Sequence, residues 1–274
     1  MASDLPDTFR QLRTLVTEEG KLELSLKDVP MPKPGDGDII IRVEATPINP
    51  SDLGLLVGAA DLSTLKNEGS KESPKLVADV PPPAMRAMKA RLGQSLGVGN
   101  EGAGTVVAAG SSDAAQALVG KKVTGLGGEF YGEYRMLNVA QVMELPEDAS
   151  ARDGASSFVN PLTALSFPET MRMEGHKGLI HTAAASNLGQ MLNKICIADD
   201  VPLVNIVRKA EQEKILKDLG AKYVVNSSSD NFMKELIDAI AETKATLAFD
   251  AVGGGPLAGQ ILMAMEAAAN IGAE

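Results

Sequence analysis

The sequence is poor in the residues on which several classes of protein depend. Its 274 residues include no tryptophan, six phenylalanines and three tyrosines, so stacking surfaces for single-stranded nucleic acid are not expected. A single cysteine excludes an internal disulfide and any multi-cysteine zinc site, and it fits a reducing, cytoplasmic compartment. Two histidines are too few for most histidine-built metal centres.

Charge and hydropathy exclude further partners. The chain has 36 acidic and 26 basic residues, and its net charge of -10 repels nucleic-acid phosphates and anionic membranes. The polar residues 1–12 predict no secretory signal, and no apolar run is long enough to cross a membrane. With 44% hydrophobic residues, the chain can form two globular domains with cores of their own.

The sequence pattern of the first half of the chain predicts a β-rich domain, which we place at residues 1–146. Short β-like runs alternate there with glycine and proline, a pattern typical of a barrel or sandwich. The runs lie at 22–26, 38–45, 104–110, 121–126 and 134–139. A stretch of about 61–98 interrupts this pattern. We expect it to be an exposed surface insertion or, alternatively, a flap over a binding site.

The second half, residues 147–274, has a βα pattern. A helical stretch over about 152–173 is predicted to break at Asn160–Pro161 and at Phe167–Pro168. Four strands then alternate with helices of about a dozen residues, which predicts a parallel, doubly wound sheet. A six-stranded dinucleotide-binding sheet would need about two more strands, so the sheet is smaller or the chain is a C-terminal truncation. The predicted fold class is therefore α/β, with an incomplete Rossmann-type sheet.

The turn after the first of these strands is a candidate cofactor site. The segment reads IHTAAASNLG and ends at Gly189, and pyrophosphate groups rest on helix N-termini in such βα turns. The glycine fingerprint expects small residues where the chain supplies Ala184, Ser186 and Gly189. Ser186 or Asn187, with Leu188 beside them, can hydrogen-bond phosphate. The alternative is an ordinary tight βα turn.

The end of the second strand favours NADPH over NADH. Arg208 stands about 20 residues past Gly189, where an NAD-binding fold places an acid for the ribose hydroxyls. An arginine pairs with a 2′-phosphate through two N–H groups, and Lys209 adds positive charge. The alternative is that both are solvated charges at a helix start. Val252 and Gly253, after the fourth strand, are predicted to border the cofactor.

Several short motifs also follow one another in a family order. They are VEATPINPSD at 43–52, GNEGAGTV at 99–106, GKKV at 120–123, GEY at 132–134, LP at 145–146, NPLTA at 160–164, LGA at 219–221 and VVN at 224–226. Each is weak alone. In this order they make the chain resemble the medium-chain dehydrogenase/reductase superfamily, specifically its zinc-free quinone oxidoreductase and enoyl reductase branch.

The resemblance implies a GroES-like N-terminal domain, an NADP-binding Rossmann-type domain and a homodimer. It implies hydride transfer from NADPH to a small-molecule quinone or α,β-unsaturated carbonyl, with Asn49 and Thr163 near the nicotinamide. Zinc-dependent members carry cysteine where Asn49 stands and histidine where Asn100 stands, so no metal site is expected. Members run longer than this chain, which is expected to be a truncation.

Other side chains have less specific expectations. The resemblance implies a structural role for Glu101, and Asp52 is expected to orient its loop through backbone hydrogen bonds. Tyr131 and Tyr134 are candidate proton donors, although Tyr134 is expected to pack in the β-rich domain. His181 is expected to be a buried, hydrogen-bonded histidine or, alternatively, a neighbour of the cofactor.

Two other functions stay open from the sequence. One is a zinc-free alcohol or aldehyde reductase on the same scaffold. The other is a redox sensor that binds NADPH without turnover, which the degenerate turn and the lack of an evident acid or base allow.

Overall fold

The computed structural model describes residues 5–58 and 60–271. The chain forms two compact units, residues 1–159 and 160–274. The first is built around antiparallel β-sheets and the second around a parallel sheet with helices, so the predicted α/β fold class is confirmed. The predicted domain boundary after residue 146 lies before this division and stays a prediction.

Two antiparallel sheets make up the described part of the first unit. Its strands are β1 (Thr8–Val16), β2 (Lys21–Pro30), β3 (Asp38–Ala45), β4 (Asp61–Asn67), β5 (Lys75–Asp79), β6 (Leu96–Gly97), β7 (Glu101–Ala109), β8 (Lys122–Leu126), β9 (Tyr134–Asn138) and β10 (Val142–Glu144). Their orders are β4-β5-β2-β1-β6 and β10-β8-β7-β3-β9. Short helices lie between them: α1 (Pro50–Leu56), α2 (Pro82–Ala87), α3 (Asp113–Gln116) and α4 (Ala151–Gly154), with 3₁₀ turns at Lys89–Arg91 and Val139–Gln141.

The segment 61–98 takes part in the first sheet. Its strand β5 pairs with β2, and its strand β6 pairs with β1. The segment therefore adds strands to both edges of the β2–β1 pair. Strand β4 lies at the sheet edge, and most of its residues are exposed. The segment is not exposed throughout, as an exposed surface insertion would be, because Val77, Ala78 and Val80 are buried. A role as a flap over a binding site stays a prediction.

The second unit contains the predicted βα units. Its strands are β11 (Leu179–His181), β12 (Leu203–Val207), β13 (Tyr223–Asn226) and β14 (Leu247–Phe249), and its helices are α5 (Val159–Met173, which begins at the division), α6 (Asn187–Ala198), α7 (Ala210–Asp218), α8 (Phe232–Thr243) and α9 (Leu257–Ile271). The strands are parallel in the order β13-β12-β11-β14. That order is the 3-2-1-4 of a Rossmann-type sheet.

Burial explains why these segments become sheet. All five residues of β12 are buried, as expected for an inner strand covered by helices on both faces. Its polar member, Asn205, pairs with Asn193 of α6 through reciprocal amide hydrogen bonds of 2.7 and 3.0 Å. The apolar core around Ile180 and Val204 continues into helices α8 and α9.

The break predicted at Phe167–Pro168 is wrong. Helix α5 runs without interruption through Pro168, which is buried. A proline inside a helix removes one hydrogen bond, but packing of the buried face holds this helix together. The other predicted break falls at the start of the helix, where Pro161 lies in the first turn and its missing N–H costs little.

Candidate functional site

The turn between β11 and α6 is shaped by its own backbone. Ser186 is the N-cap of α6, and its hydroxyl accepts a 3.2 Å hydrogen bond from the Gly189 amide. A Cβ on Gly189 would lie 2.8 Å from Ala184 Cα and closer still to the Ala184 carbonyl. Only glycine therefore allows this close approach of helix and strand. Ala183 has a positive φ of 51°, a conformation that alanine rarely adopts.

One cavity lies at the carboxyl ends of the four strands. Its volume is about 280 Å³. Each strand contributes a residue from the loop that follows it: Ala183 after β11, Arg208 after β12, Ser227 after β13 and Val252 after β14. The carboxyl edge of an open parallel sheet is where ligands bind in this fold class. The cavity is therefore a candidate cofactor site.

Arg208 and Lys209 both line this cavity and are exposed. The side-chain oxygen of Gln212 accepts hydrogen bonds from both of their backbone amides, at 3.0 and 3.2 Å. Gln212 thus fixes the backbone at the start of α7, where the two cationic residues lie. Nearby, the Ser228 hydroxyl donates to the Arg208 carbonyl at 3.0 Å.

A short hydrogen-bond network holds the loop after β14. The buried Thr182 hydroxyl donates to Asp250 Oδ1 at 2.7 Å and accepts from the Ala251 amide at 2.7 Å. Asp250 also accepts from the amides of Val252 and Gly253, at 2.9 and 3.3 Å. These donors, with the Thr182 hydroxyl first, lower the pKa of Asp250. The loop is therefore placed before any ligand arrives.

His181 lies at the end of β11 and is buried and hydrogen-bonded, which was the first of the two expectations for it. It is 1% exposed, and its Nδ1 lies 3.2 Å from the Phe249 carbonyl. Its Nε2 is buried without a hydrogen-bond partner. The Phe167 ring packs edge-on against it at 5.6 Å between centroids. Burial is the main cause that lowers the pKa of His181.

In the first unit, two buried carboxylates hold the loop that contains Asn49. Asn49 Nδ2 donates to Glu101 Oε1 at 2.9 Å, and the Asn49 amide donates to Asp52 Oδ2 at 2.8 Å. Asp52 Oδ1 accepts from the Asn100 amide at 2.9 Å. Asp52 thus orients its loop through backbone hydrogen bonds, as expected from the N-P-S-D sequence. Thr46 adds a 2.7 Å bond to the Glu101 carbonyl.

A larger cleft of about 780 Å³ lies beside the same loop. Apolar side chains predominate among its lining residues, which include Ile48, Leu56 and Phe130. Tyr131 also lines it, and the Tyr131 hydroxyl donates to the Pro47 carbonyl at 2.9 Å. Burial, followed by the charge of Asp52, raises the pKa of Tyr131, which makes this hydroxyl a poor proton donor. Tyr134 packs edge-on against Phe9, as expected for a structural role.

The structure brings together part of the predicted cofactor set. Arg208, Lys209 and Val252 line one cavity, while Ala184 is buried beneath the turn. The remaining predicted residues sit around the turn and the β14 loop without lining that cavity: Ser186, Asn187, Leu188, Gly189 and Gly253. Thr163 lies half-buried in helix α5 of the second unit, whereas Asn49 belongs to the first.

Six residues that line the cavity were not predicted as site residues. They are Ala183, Ile206, Val207, Gln212, Ser227 and Leu257. Ser227 could have been predicted from its place directly after the third strand, because residues that follow parallel strands lie at the same edge of the sheet.

In the described ranges, no group of three or more His, Cys, Asp or Glu side chains is arranged to hold a metal ion. Over the same ranges, every helix is too short or too polar to cross a bilayer.

Comparison with known proteins places this geometry in context. No protein family model matches the chain. The chain is 29% identical over 243 residues to the mitochondrial enoyl-[acyl-carrier-protein] reductase of Xenopus tropicalis, covering 84% of this chain and 60% of that protein. It is 25% identical over 229 residues to prostaglandin reductase-3 of Mus musculus, covering 83% of this chain and 52% of that protein. The chain spans about half the length of the curated relatives it matches.

A solved structure extends the likeness to the fold. A Mesorhizobium loti protein assigned as an NADPH:quinone reductase is 27% identical and superposes with a TM-score of 0.72, over 96% of this chain and 72% of that chain. The likeness therefore covers both compact units. The predicted resemblance to the quinone oxidoreductases and enoyl reductases of the medium-chain dehydrogenase/reductase superfamily is confirmed.

Proposed function

We propose that this chain functions as an NADPH-dependent oxidoreductase that transfers hydride to a quinone or an α,β-unsaturated carbonyl without a metal ion. The relatives named above support this class of reaction, since their names describe enoyl, prostaglandin and quinone reductases. A homodimer and a cytoplasmic location stay predictions.

The observation that carries the proposal is the cavity at the carboxyl edge of the parallel sheet. Two cations, Arg208 and Lys209, line it, and no acid is among its lining residues. A 2′-phosphate would be held by these cations, whereas the ribose hydroxyls of NADH would find no carboxylate there. The N-terminal amides of α6, capped by Ser186, offer N–H groups for the pyrophosphate. The residues present therefore fit NADPH.

The first unit supports an apolar acceptor. The cleft of about 780 Å³ has mainly apolar lining and a few polar groups, which is typical of a pocket for a small conjugated molecule. We place the acceptor there, beside the Asn49 loop. The cofactor, when bound, supplies the hydride. The chain has to orient the two reactants and exclude water from them.

Asn49 and Thr163 have the side-chain chemistry for orientation. An amide and a hydroxyl can each donate and accept hydrogen bonds, so both suit the carboxamide of a nicotinamide. Neither needs to change its protonation state. The Tyr131 hydroxyl already donates a hydrogen bond to the Pro47 carbonyl, and the pKa of Tyr131 is raised. Under this proposal, the proton that follows the hydride therefore comes from solvent.

A titration of NADPH and NADH, followed by reduced-nicotinamide fluorescence, tests the cofactor. The chain has no tryptophan, so the protein background is low. Arg208→Ala is expected to raise the Kd for NADPH by about 10- to 100-fold, the range for a lost charged hydrogen bond, and to leave NADH nearly unchanged. Lys214→Ala is the matched control, because Lys214 is exposed and pairs with Asp218 outside the cavity.

Equal affinity for NADPH and NADH in the unmodified protein would contradict the cofactor assignment. A second experiment tests the acceptor. Oxidation of NADPH is measured with quinones, with 2-enoyl thioesters and with aldehydes. Turnover of aldehydes alone would favour the alcohol or aldehyde reductase alternative. Saturable NADPH binding without reduction of any acceptor would favour the redox-sensor alternative.

A further inference from the structure

Gln212 lines the candidate cofactor cavity and holds the backbone of both cationic residues there. Its Oε1 accepts hydrogen bonds from the amides of Arg208 and Lys209, at 3.0 and 3.2 Å. The Arg208 carbonyl is held as well, because it accepts from the Ser228 hydroxyl at 3.0 Å. The start of α7 is therefore tied at three backbone groups before any ligand is present.

The two bonds to Oε1 determine the orientation of the Gln212 amide. A backbone N–H can only donate, so the amide oxygen, and not the NH₂ group, has to face Arg208 and Lys209. The reverse orientation would set the NH₂ group against two donors and leave both of them without an acceptor. Within the described residues, this half-buried side chain makes no other hydrogen bond. Its NH₂ group is thus a donor without a protein acceptor, on a residue that lines the cavity.

We propose that Gln212 helps to select NADPH over NADH by donating its NH₂ group to the 2′-phosphate, beside the cations of Arg208 and Lys209. This inference rests on the proposed function, which places the cofactor in this cavity. Phosphate oxygens accept hydrogen bonds, so an amide donor and two cations match them. The ribose hydroxyls of NADH are instead best held by a carboxylate, which no described residue lining the cavity supplies.

Gln212→Glu separates the two roles of this side chain. A carboxylate keeps an acceptor oxygen for the amides of Arg208 and Lys209, and glutamate is favoured at the third position of a helix. Its other oxygen replaces the NH₂ donor with a negatively charged acceptor. We expect the Kd for NADPH to rise by about 10- to 100-fold, as for the loss of a hydrogen bond to a charged group. The Kd for NADH should not rise, because an acid can accept from the ribose hydroxyls.

The fluorescence titration with NADPH and with NADH measures this change of preference. Gln94→Glu is the matched control, because it adds the same charge at an exposed glutamine outside the cavity, whose Nε2 donates to the Ala90 carbonyl. Competition by adenosine 2′,5′-bisphosphate and by adenosine 5′-phosphate repeats the test without a nicotinamide. The Tm of each variant is measured without ligand, and that of Gln212→Glu should be at least as high as that of the unmodified protein.

The outcomes separate this inference from the proposed function. A preference for NADPH that is lost in Arg208→Ala but kept in Gln212→Glu would overturn the inference and leave the proposed function intact. Equal weakening of NADPH and NADH by Gln212→Glu would also overturn it, because the side chain would then act only on the shape of the helix start. A lower Tm for Gln212→Glu would contradict the amide orientation on which the inference depends. Equal affinity of the unmodified protein for the two cofactors would overturn both the inference and the cofactor assignment.

Discussion

The two regions that carry the proposed site are organised in different ways. In the first unit, the Asn49 loop is fixed by buried carboxylates that accept hydrogen bonds from its amides. In the second, the turn after β11 is shaped by glycine packing and a helix cap, and Ser186, Asn187 and Arg208 remain exposed. The first region is therefore set before ligand binding. The second leaves exposed the groups that the proposed ligand would contact.

The largest effect is expected at Gly189, where the second region depends on close backbone packing. Gly189→Ala places a Cβ against the backbone of Ala184, which cannot move aside as a flexible side chain could. We expect the free energy of unfolding to fall by about 3 kcal/mol, as for overpacking in a core, and NADPH binding to be lost. Chemical denaturation and the fluorescence titration measure the two effects.

Gly259→Ala is the matched control for this prediction. Gly259 lies in helix α9, and apart from its chain neighbours and the backbone of its own helix no atom lies within 4 Å of an added Cβ. Alanine there should raise stability by about 1 kcal/mol, because glycine is a poor helix former. Equal destabilisation by both substitutions would show that the turn has no special packing requirement.

The next largest effect is expected at Asp52, where the first region depends on a buried acceptor. Asp52→Asn directs an NH₂ group at one of two backbone amides that now donate to the carboxylate, those of Asn49 and Asn100. We expect a loss of about 1–3 kcal/mol in unfolding free energy. Asp79→Asn, which breaks a half-exposed pair with Lys21, should cost about 0–1 kcal/mol. Similar losses at both positions would contradict the contrast between buried and exposed carboxylates.

A smaller effect at Ser186 separates shape from ligand contact in the second region. Ser186→Ala removes the cap of α6 and should cost about 1 kcal/mol of stability. Ser186→Asp keeps a capping oxygen, so stability should be nearly unchanged, but its negative charge should repel a pyrophosphate and weaken NADPH binding. Unchanged NADPH affinity in Ser186→Asp would contradict the proposal that the pyrophosphate binds at the N-terminus of α6.

The smallest effect concerns pH. Burial lowers the pKa of His181 below its usual value of about 6.5, so the unfolded chain binds this proton more readily than the folded chain. Stability from the neutral ring is present above about pH 6.5 and is lost as the pH falls through the lowered folded value. His181→Gln should flatten that acid loss in denaturation curves. His176→Gln serves as control, and an equal flattening there would argue against His181 as the source.

The sequence predicted the fold well because the fold depends on periodic patterns. Alternating strands and helices after residue 146 gave the four βα units, and burial of β12 follows from its apolar run. The error at Pro168 has a clear cause. A local rule about proline was outweighed by the packing of a long helix whose buried face includes Ala164 and Met171.

The site was harder to predict because its contacts join residues far apart in the chain. Gly189 was assigned correctly to close packing, since that requirement is local to one turn. The hydrogen bond between Asn49 and Glu101 links two segments 52 residues apart, and no spacing rule points to it. Ser227 and Gln212 line the candidate cofactor cavity only because of the order of the strands.

The partners of the two buried carboxylates in the first unit are uncharged N–H groups, and this has a consequence for assay conditions. Dissolved ions screen interactions between exposed charges, with a Debye length of about 3 Å at 1 M salt, but they barely reach neutral donors in a protein interior. Raising the ionic strength should therefore weaken the proposed contacts of Arg208 and Lys209 with a phosphate, while the Asn49 loop keeps its arrangement. Under the proposed function, a salt titration would then slow NADPH oxidation by weakening cofactor binding, and the rate at saturating NADPH would be unchanged.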